Sequence, residues 1–224
     1  MSENFVSVAI DGPVGAGKST IARAAAQRLG FIYADTGALY RAVGLYCIRN
    51  GVDLSDKGAV AAAVGGIKPE IKLCEGVQHV YLGGDDVSEE IRLPEVSMAA
   101  SAVSSVPEVR AALLEMQRSI AKSHSVIMDG RDIGTVVLPN AEVKIFLTAA
   151  PEIRARRRFD ELRAKGSGVT FEEVLRDLNE RDYNDSHRAA APLKQAEDAV
   201  LADTSGLDFE QSVELVCGII KERL

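Results

Sequence analysis

The chain has 224 residues, of which 46% are hydrophobic and 5% aromatic, and it contains no tryptophan. This length suits one domain with a modest insertion and excludes two large independent domains. The net charge of −7 argues against a general nucleic-acid binder, and no apolar run approaches the roughly 20 residues of a membrane span.

Two local features predict a cytoplasmic location. Residues 1–4 carry an acidic side chain where a signal peptide carries a basic region, so we expect no export. Cys47, Cys74 and Cys217 are odd in number and lack CxxC spacing, which favours buried structural thiols in a reducing compartment.

Short apolar runs alternate with helical patterns along the chain. This alternation predicts a three-layer α/β fold in which a five-stranded parallel sheet lies between helices. Strands this short and apolar suit the centre of such a sheet, where both faces are buried. The predicted strands are residues 5–10, 31–34, 125–128, 143–147 and 199–202, and the predicted helices include 19–29, 171–188, 209–224 and the segments that begin at Pro107 and Pro151.

Residues 51–94 interrupt this alternation. A short alanine-rich helix is expected first, followed by two extended pieces, 70–74 and 78–82. Because Glu75-Gly76-Val77 suits a tight connection, these pieces are expected to form a small hairpin. We interpret the stretch as an insertion at the rim of the sheet within a single domain.

A glycine-rich segment directly after the first predicted strand matches the pattern G-x-x-x-x-G-K-[ST]. Its glycines let several backbone N–H groups point at one anion, and the following helix adds a partial positive charge at its N-terminus. The lysine can reach the β- and γ-phosphates of ATP, and the serine hydroxyl can ligate Mg²⁺. A glycine-rich turn alone would need neither residue. The predicted ATP-binding residues are Gly12, Pro13, Val14, Gly15, Ala16, Gly17, Lys18, Ser19 and Thr20, with Ser19 as the metal ligand.

This P-loop alone does not separate kinases from other nucleotide-hydrolysing proteins. No Asn-Lys-x-Asp motif for guanine occurs, which weakens a GTPase interpretation. Residues 126–129 resemble a strand that ends in a metal-holding carboxylate, Asp129, although an aspartate that merely caps the strand is an alternative.

Further motifs make a family resemblance specific. Asp35-Thr36-Gly37-Ala38-Leu39-Tyr40-Arg41 follows the second strand, and the motifs at residues 84–92, 129–137, 180–188 and 191–193 come later in the chain. Together with the P-loop, these segments resemble those of bacterial cytidylate kinases over nearly the whole length. The resemblance implies a P-loop nucleotide kinase fold and phosphorylation of CMP, and also of dCMP, by ATP in pyrimidine metabolism. We expect a monomer that binds these nucleotides and neither nucleic acid nor membrane.

The positions of two arginines suit an acceptor phosphate. Arg41 follows the second strand and Arg131 the third, so both can converge beside the P-loop at the carboxyl edge of the sheet. A planar guanidinium grips phosphate in a bidentate way, although each arginine could instead form a structural salt bridge. Arg181, Asp185 and Arg188 share one helix face, where spacing alone favours a surface salt-bridge ladder.

The resemblance assigns these residues and others to the acceptor nucleotide. It implies that Arg188 binds the phosphate, while Arg181, Asp185 and Ser101 lie near the ribose. It also implies that Thr36, Arg110 and Asp132 recognise cytosine. A carboxylate suits the N4 donor of cytosine, which uracil lacks, so Asp132 is a candidate discriminator against UMP. The predicted acceptor-binding residues are Thr36, Tyr40, Arg41, Ser101, Arg110, Arg131, Asp132, Arg181, Asp185 and Arg188.

The segment from Pro151 to Arg158 opens a helix with four arginines in five positions. Arg154, Arg157 and Arg158 share one face, where like charges repel unless an anion is present, and a solvated basic face is the alternative. Kinases of this class place a mobile arginine-bearing lid after the fourth strand. We therefore expect a lid over about residues 151–170, with its tip at 165–168, that closes over the ATP phosphates and excludes water. The remaining residues divide into a core (1–50, 95–150 and 190–224) and an acceptor-side insertion (51–94).

The expected reaction needs positioning and charge neutralisation more than covalent chemistry. No general base is required because the acceptor phosphate is already anionic, so the three histidines are interpreted as structural or surface residues. Residues 203–205 are a candidate adenine contact. The alternatives are a kinase for UMP, dTMP, AMP or shikimate, and a nucleotide-dependent switch. The predicted catalytic residues are Lys18, Asp129, Arg131, Arg154 and Arg158, with Arg157 on ATP.

Overall fold

The computed structural model describes residues 5–67, 69–74, 77–164 and 166–224. Its strands are β1 (Ser7–Asp11), β2 (Ile32–Asp35), β3 (Pro69–Cys74), β4 (Val77–Leu82), β5 (Asp85–Asp86), β6 (Val126–Gly130), β7 (Val143–Thr148) and β8 (Val200–Asp203). Its helices are α1 (Lys18–Leu29), α2 (Gly37–Arg49), α3 (Lys57–Val64), α4 (Pro94–Val103), α5 (Pro107–Ser123), α6 (Pro151–Ala164), α7 (Phe171–His187) and α8 (Phe209–Arg223). A 3₁₀ turn at Glu90–Arg92 and a π-helical turn at Ile133–Val137 complete the described elements.

A parallel sheet in the order β2-β6-β1-β7-β8 forms the centre of the protein, which confirms the predicted five-stranded α/β fold. Successive residues of β1 point to opposite faces, and both faces are covered. Ile10 packs with α1 and α8 on one side, while Ala9 packs with β6 and α5 on the other. The apolar run that predicted β1 is therefore a strand buried between two helical layers.

The strands continue past the apolar residues that predicted them. β1, β2 and β6 run on through Asp11, Asp35 and Asp129, because ladder pairing uses backbone groups and does not require an apolar side chain. In the register, Asp129 of β6 lies opposite both Ile10 and Asp35. Three carboxylates consequently gather at one edge of the sheet.

The insertion contains the predicted hairpin, as β3 and β4 pair antiparallel from Pro69↔Leu82 to Cys74↔Val77. The Glu75-Gly76 connection lies outside the described residues. The Gln78 amide of β4 accepts from Asp35 N–H (2.8 Å) and donates to Asp35 C=O (3.1 Å), so the hairpin is tied to the end of β2.

The thiols differ from expectation at one position. Cys47 and Cys217 are buried, but Cys74 is exposed at the end of β3, because the last residue of the hairpin strand projects from the body of the protein. No disulfide links the described cysteines. None of the helices within the described ranges is long and apolar enough to cross a bilayer.

Candidate active site

A cleft of about 390 Å³ opens at the carboxyl edge of the parallel sheet. The P-loop, the ends of β2 and β6, and helices α4, α5 and α7 contribute to its wall. This is the edge at which open α/β sheets bind ligands. Among the described residues, seven basic and five acidic side chains line the cleft, although the whole chain carries a net charge of −7. The local excess of positive charge favours anionic ligands.

The P-loop curls back onto the sheet between β1 and α1. Gly12, Gly15 and Gly17 have φ values of 153°, 73° and 83°, which L side chains rarely adopt. A Cβ at Gly12 would lie only 2.0 Å from the carbonyl oxygen of Leu147, so the loop starts in direct contact with β7. No side chain caps the N-terminus of α1, and the first residues of this helix, Lys18, Ser19 and Thr20, line the cleft, so the helix begins at the cleft wall.

Lys18 lies beneath the loop and is only 6% exposed. Its Nζ donates to the Pro13 carbonyl at 2.7 Å. Burial lowers the pKa of Lys18, and the positive charge of Arg131 lowers it further. A phosphate in the cleft would offset both effects.

Ser19 and Asp129 form an oxygen-rich pair below the loop. The Ser19 hydroxyl donates to Asp129 Oδ2 at 2.9 Å, and the Tyr33 hydroxyl donates to Asp129 Oδ1 at 2.9 Å. Burial raises the pKa of Asp129, and the neighbouring Asp35 raises it further. Hydroxyl and carboxylate oxygens suit Mg²⁺, which is usually held by few protein groups together with water and phosphate. The residues present therefore fit this metal.

Three arginines predicted to bind the acceptor phosphate line the same cleft as the P-loop. Arg41 Nη2 lies 2.5 Å from Asp35 Oδ2, and Arg131 Nε donates to Asp185 Oδ2 at 2.7 Å. Arg188 donates to the carbonyl of Ala191 at 2.7 Å and to Asp132 at 3.2 Å. Arg188 follows the last residue of α7, and its backbone is extended. The direction of its side chain is therefore set by Ala191 and Asp132 and not by helical spacing.

The residues that the resemblance assigns to cytosine also lie on the wall of this cleft. Asp132 is 5% exposed and accepts from both Arg110 and Arg188. Burial raises the pKa of Asp132. The Arg110 guanidinium lies 5.6 Å from the ring centre of Tyr40, and the Thr36 hydroxyl donates to the backbone carbonyl of Asp129 at 2.8 Å. Ser101 of α4 and Arg181 of α7 also line the cleft.

The arginines of α6 do not act together as the sequence suggested. Arg158 lines the cleft and pairs with Glu161 at 2.7 Å. Arg154 is buried behind the P-loop, and Arg157 donates to the hydroxyl and carbonyl of Thr204 at 3.2 and 2.8 Å. Each arginine has a protein partner, so the premise that only an anion could relieve their repulsion is wrong. Neither Arg154 nor Arg157 lies on the described cleft wall, and Lys165 of the expected lid tip is outside the described residues.

Several residues that sequence reasoning missed also support the site. Tyr33 holds Asp129, and the available signal was a tyrosine inside a buried strand, which needs a hydrogen-bond partner. Asp11 accepts from the amides of Ile133 and Gly134, both at 2.7 Å, and burial raises its pKa to about 6. It thereby joins the end of β1 to the turn that follows Asp132.

The three histidines, interpreted from the sequence as structural or surface residues, lie away from the described cleft wall. His79, His124 and His187 are absent from the cleft wall, and His187 stacks on Tyr183 with ring centres 4.0 Å apart. Thr204, suggested as an adenine contact, is fully buried at the end of β8 beside Arg157.

Comparisons with known proteins agree on one family. A family profile described as cytidylate kinase matches residues 8–222. A cytidylate kinase from Caldicellulosiruptor bescii is 51% identical over 211 residues, covering 94% of this chain and 93% of that protein. Another from Pelotomaculum thermopropionicum is 51% identical over 214 residues, covering 95% of each. In fold alone, the chain resembles a solved structure of an uncharacterised protein from Eubacterium ventriosum, with a TM-score of 0.55 at 10% identity, covering 97% of this chain and 99% of that one.

Proposed function

Because the chain belongs to the cytidylate kinase family, we propose that it transfers the γ-phosphoryl group of ATP to CMP and releases CDP and ADP. The observation that carries the proposal is the convergence on one cleft of a P-loop and of Arg41, Arg131 and Arg188. A phosphoryl donor and an anionic acceptor must meet within such a site, and both halves of this cleft offer groups that hold phosphate.

The donor half holds the ATP phosphates. Backbone amides of the P-loop and the N-terminus of α1 surround them, and Lys18 exchanges its bond to Pro13 for the β- and γ-phosphates. Ser19 and Asp129 hold Mg²⁺, which when bound neutralises charge on those phosphates. No group of three or more acidic, histidine or cysteine side chains in the described ranges could hold a metal alone, so a metal held jointly with phosphate fits this donor set.

The acceptor half orients CMP. Arg41, Arg131 and Arg188 hold its phosphate in line with the γ-phosphate, while Ser101, Arg181 and Asp185 contact the ribose. No base is needed, since the attacking phosphate oxygen is already ionised near neutral pH. Arginine charge near the transferring group offsets the charge that the two phosphates bring together.

The base of the acceptor is recognised by Thr36, Arg110 and Asp132. The Thr36 hydroxyl donates its proton to the backbone carbonyl of Asp129. Toward cytosine, the hydroxyl oxygen can therefore only accept a hydrogen bond. Asp132 is an acceptor in its ionised form, so both groups suit the N4 amino group. Arg110 supplies the donors that O2 and N3 require. UMP presents an acceptor in place of N4 and is therefore a poor substrate.

The division of the chain follows from these roles. We propose a core of residues 1–50, 95–150 and 190–224, an acceptor-side insertion of 51–94, and a lid of about 151–170 that closes over ATP and brings Arg158 to the phosphates. Arg157 lies beside Thr204 and supports the adenine side of the donor site. The enzyme acts as a cytoplasmic monomer and accepts dCMP as well as CMP.

A coupled assay of ADP release over CMP, dCMP, UMP, dTMP, AMP and shikimate tests the proposal. CMP should be the preferred acceptor, with kcat/KM at least about 100-fold above that for UMP, because a buried site built for a donor rejects an analogue that lacks it. Strong turnover of UMP or AMP without turnover of CMP would overturn the assignment. Acceptor-independent ATP hydrolysis stimulated by another protein would instead indicate a nucleotide-dependent switch.

A further inference from the structure

The apex of the P-loop is held from outside the cleft by two charged side chains. The Val14 N–H donates to Asp182 Oδ1 at 3.0 Å, and the Val14 carbonyl accepts from Arg154 Nη1 at 2.7 Å. Arg154 Nη1 also lies 2.6 Å from Asp182 Oδ2. Both polar backbone groups of Val14 are thus satisfied by one ion pair, which we call the Val14 clasp (Arg154 and Asp182).

Arg154 anchors the clasp in the protein interior. Arg154 is only 4% exposed, and its Nε donates to the Ala149 carbonyl at 2.8 Å. The adjacent Gly15 lies close to both helices, since a Cβ there would be 3.1 Å from Leu178 Cδ1 and 3.3 Å from Arg154 Cβ. The loop apex therefore rests directly on α6 and α7. A solvated salt-bridge ladder would contribute little. This pair is more costly to break, because Arg154 is buried, the Asp182 side chain is only 20% exposed, and both residues also bind the backbone of Val14.

The clasp lies beside residues of the same two helices that line the cleft. Arg158 lies one helical turn after Arg154, and Arg181 and Asp185 flank Asp182 on α7. All three of these neighbours line the cleft.

We propose that Arg154 and Asp182 are positioning residues that hold the P-loop apex in the shape required to bind the donor phosphates. This reassigns Arg154, which the charge pattern had suggested as a phosphate ligand. The proposal rests on the proposed function only in that the P-loop binds the nucleotide donor, and it does not depend on which acceptor is used.

The substitution Asp182→Asn distinguishes between two roles for Arg154, namely support of the P-loop through the clasp and direct binding of phosphate. The substitution removes the ion pair and places an amide NH₂ against Arg154. If Arg154 acts through the clasp, the P-loop apex loosens, and the affinity for Mg²⁺-ADP should fall by about tenfold, or 1.4 kcal/mol. If Arg154 were a phosphate ligand, the same substitution would release it from a competing carboxylate, and ADP would bind as well or better. Isothermal titration with Mg²⁺-ADP and, separately, with CMP measures both affinities. Asp177→Asn, an exposed change of the same charge on the same helix, is the control and should leave both unchanged.

A double-mutant cycle with Arg154→Met tests whether the two residues act as a unit. The two losses of ADP affinity should be clearly less than additive, because either change alone opens the clasp. CMP affinity should stay within about twofold in all variants, since the contacts to Val14 lie on the donor side. Equal losses for ADP and CMP with a lowered melting temperature would show a general structural role and overturn the proposal. Unchanged or tighter ADP binding by Asp182→Asn would also overturn the positioning proposal. Neither of these two results would bear on the assignment of CMP as the acceptor, which the panel of acceptors tests.

Discussion

Asp132→Asn should change the choice between CMP and UMP more than any other single substitution in the cleft. Asp132 is buried and binds both Arg110 and Arg188, so its carboxylate is held in one orientation at the cleft wall. A hydrogen bond to a charged group contributes roughly 1.5–3 kcal/mol, which corresponds to about a 10- to 150-fold change in kcat/KM. The asparagine amide can also donate to O4 of uracil, where the carboxylate repels it. We expect the CMP-to-UMP ratio of kcat/KM to fall about 100-fold.

The ratio is the informative quantity because Asp132 also holds Arg188. Freeing that arginine alters phosphate binding, but the phosphate is common to CMP and UMP, so this effect cancels in the ratio. Initial rates at subsaturating acceptor and saturating ATP give both values of kcat/KM. Asp85→Asn, an exposed change in β5, should leave the ratio unaltered. A ratio within twofold of the wild-type value, with both substrates slowed equally, would refute the role of Asp132 in base recognition.

Three other substitutions test the phosphate contacts and the metal. Lys18→Met should lower kcat by roughly 10³-fold while the melting temperature changes little, because a preorganised charge at the transferring phosphate is lost. The control is Lys194→Met, which changes an exposed lysine. Near-normal kcat for Lys18→Met, or an equal loss for the control, would contradict the role of Lys18. Arg188→Met should raise the KM for CMP by at least about tenfold and leave the KM for ATP within twofold, since a charge-assisted contact to the acceptor is removed. A defect confined to ATP would count against that placement. Arg92→Met, which changes an exposed arginine at the end of the 3₁₀ turn, serves as the control. Ser19→Ala should raise the Mg²⁺ concentration for half-maximal rate several-fold, and an unchanged Mg²⁺ titration would argue against Ser19 as a ligand.

The sheet and the P-loop could be predicted because their determinants are local. The five apolar runs correspond to the five strands of the parallel sheet, and the glycines of the loop adopt the positive φ values that their residue type allows. The strand ends were placed too early, because the apolar residues end before the backbone pairing does. Asp11, Asp35 and Asp129 continue their strands because they point into hydrogen-bonded sites at the sheet edge.

The directions of side chains could not be predicted where distant partners decide them. Arg154, 28 residues from Asp182 and 140 from Val14, turns away from the cleft because those two residues satisfy it. No helical spacing contains that information. Arg110 and Asp132 came together as the family resemblance implied, but their roles toward cytosine stay predictions. Tyr33 and Asp11 were missed for the same reason as Arg154, since each is defined by a partner on another strand or turn.

The arrangement of two phosphate chains end to end in one cleft is tested most directly by a bisubstrate ligand. Adenosine and cytidine joined by a polyphosphate long enough to span both halves should bind at least about 100-fold more tightly than ADP or CDP alone, because the second half binds at high effective concentration. It should compete with both ATP and CMP. Binding no tighter than that of ADP, with competition against ATP only, would show that the arginines do not form an acceptor site facing the P-loop.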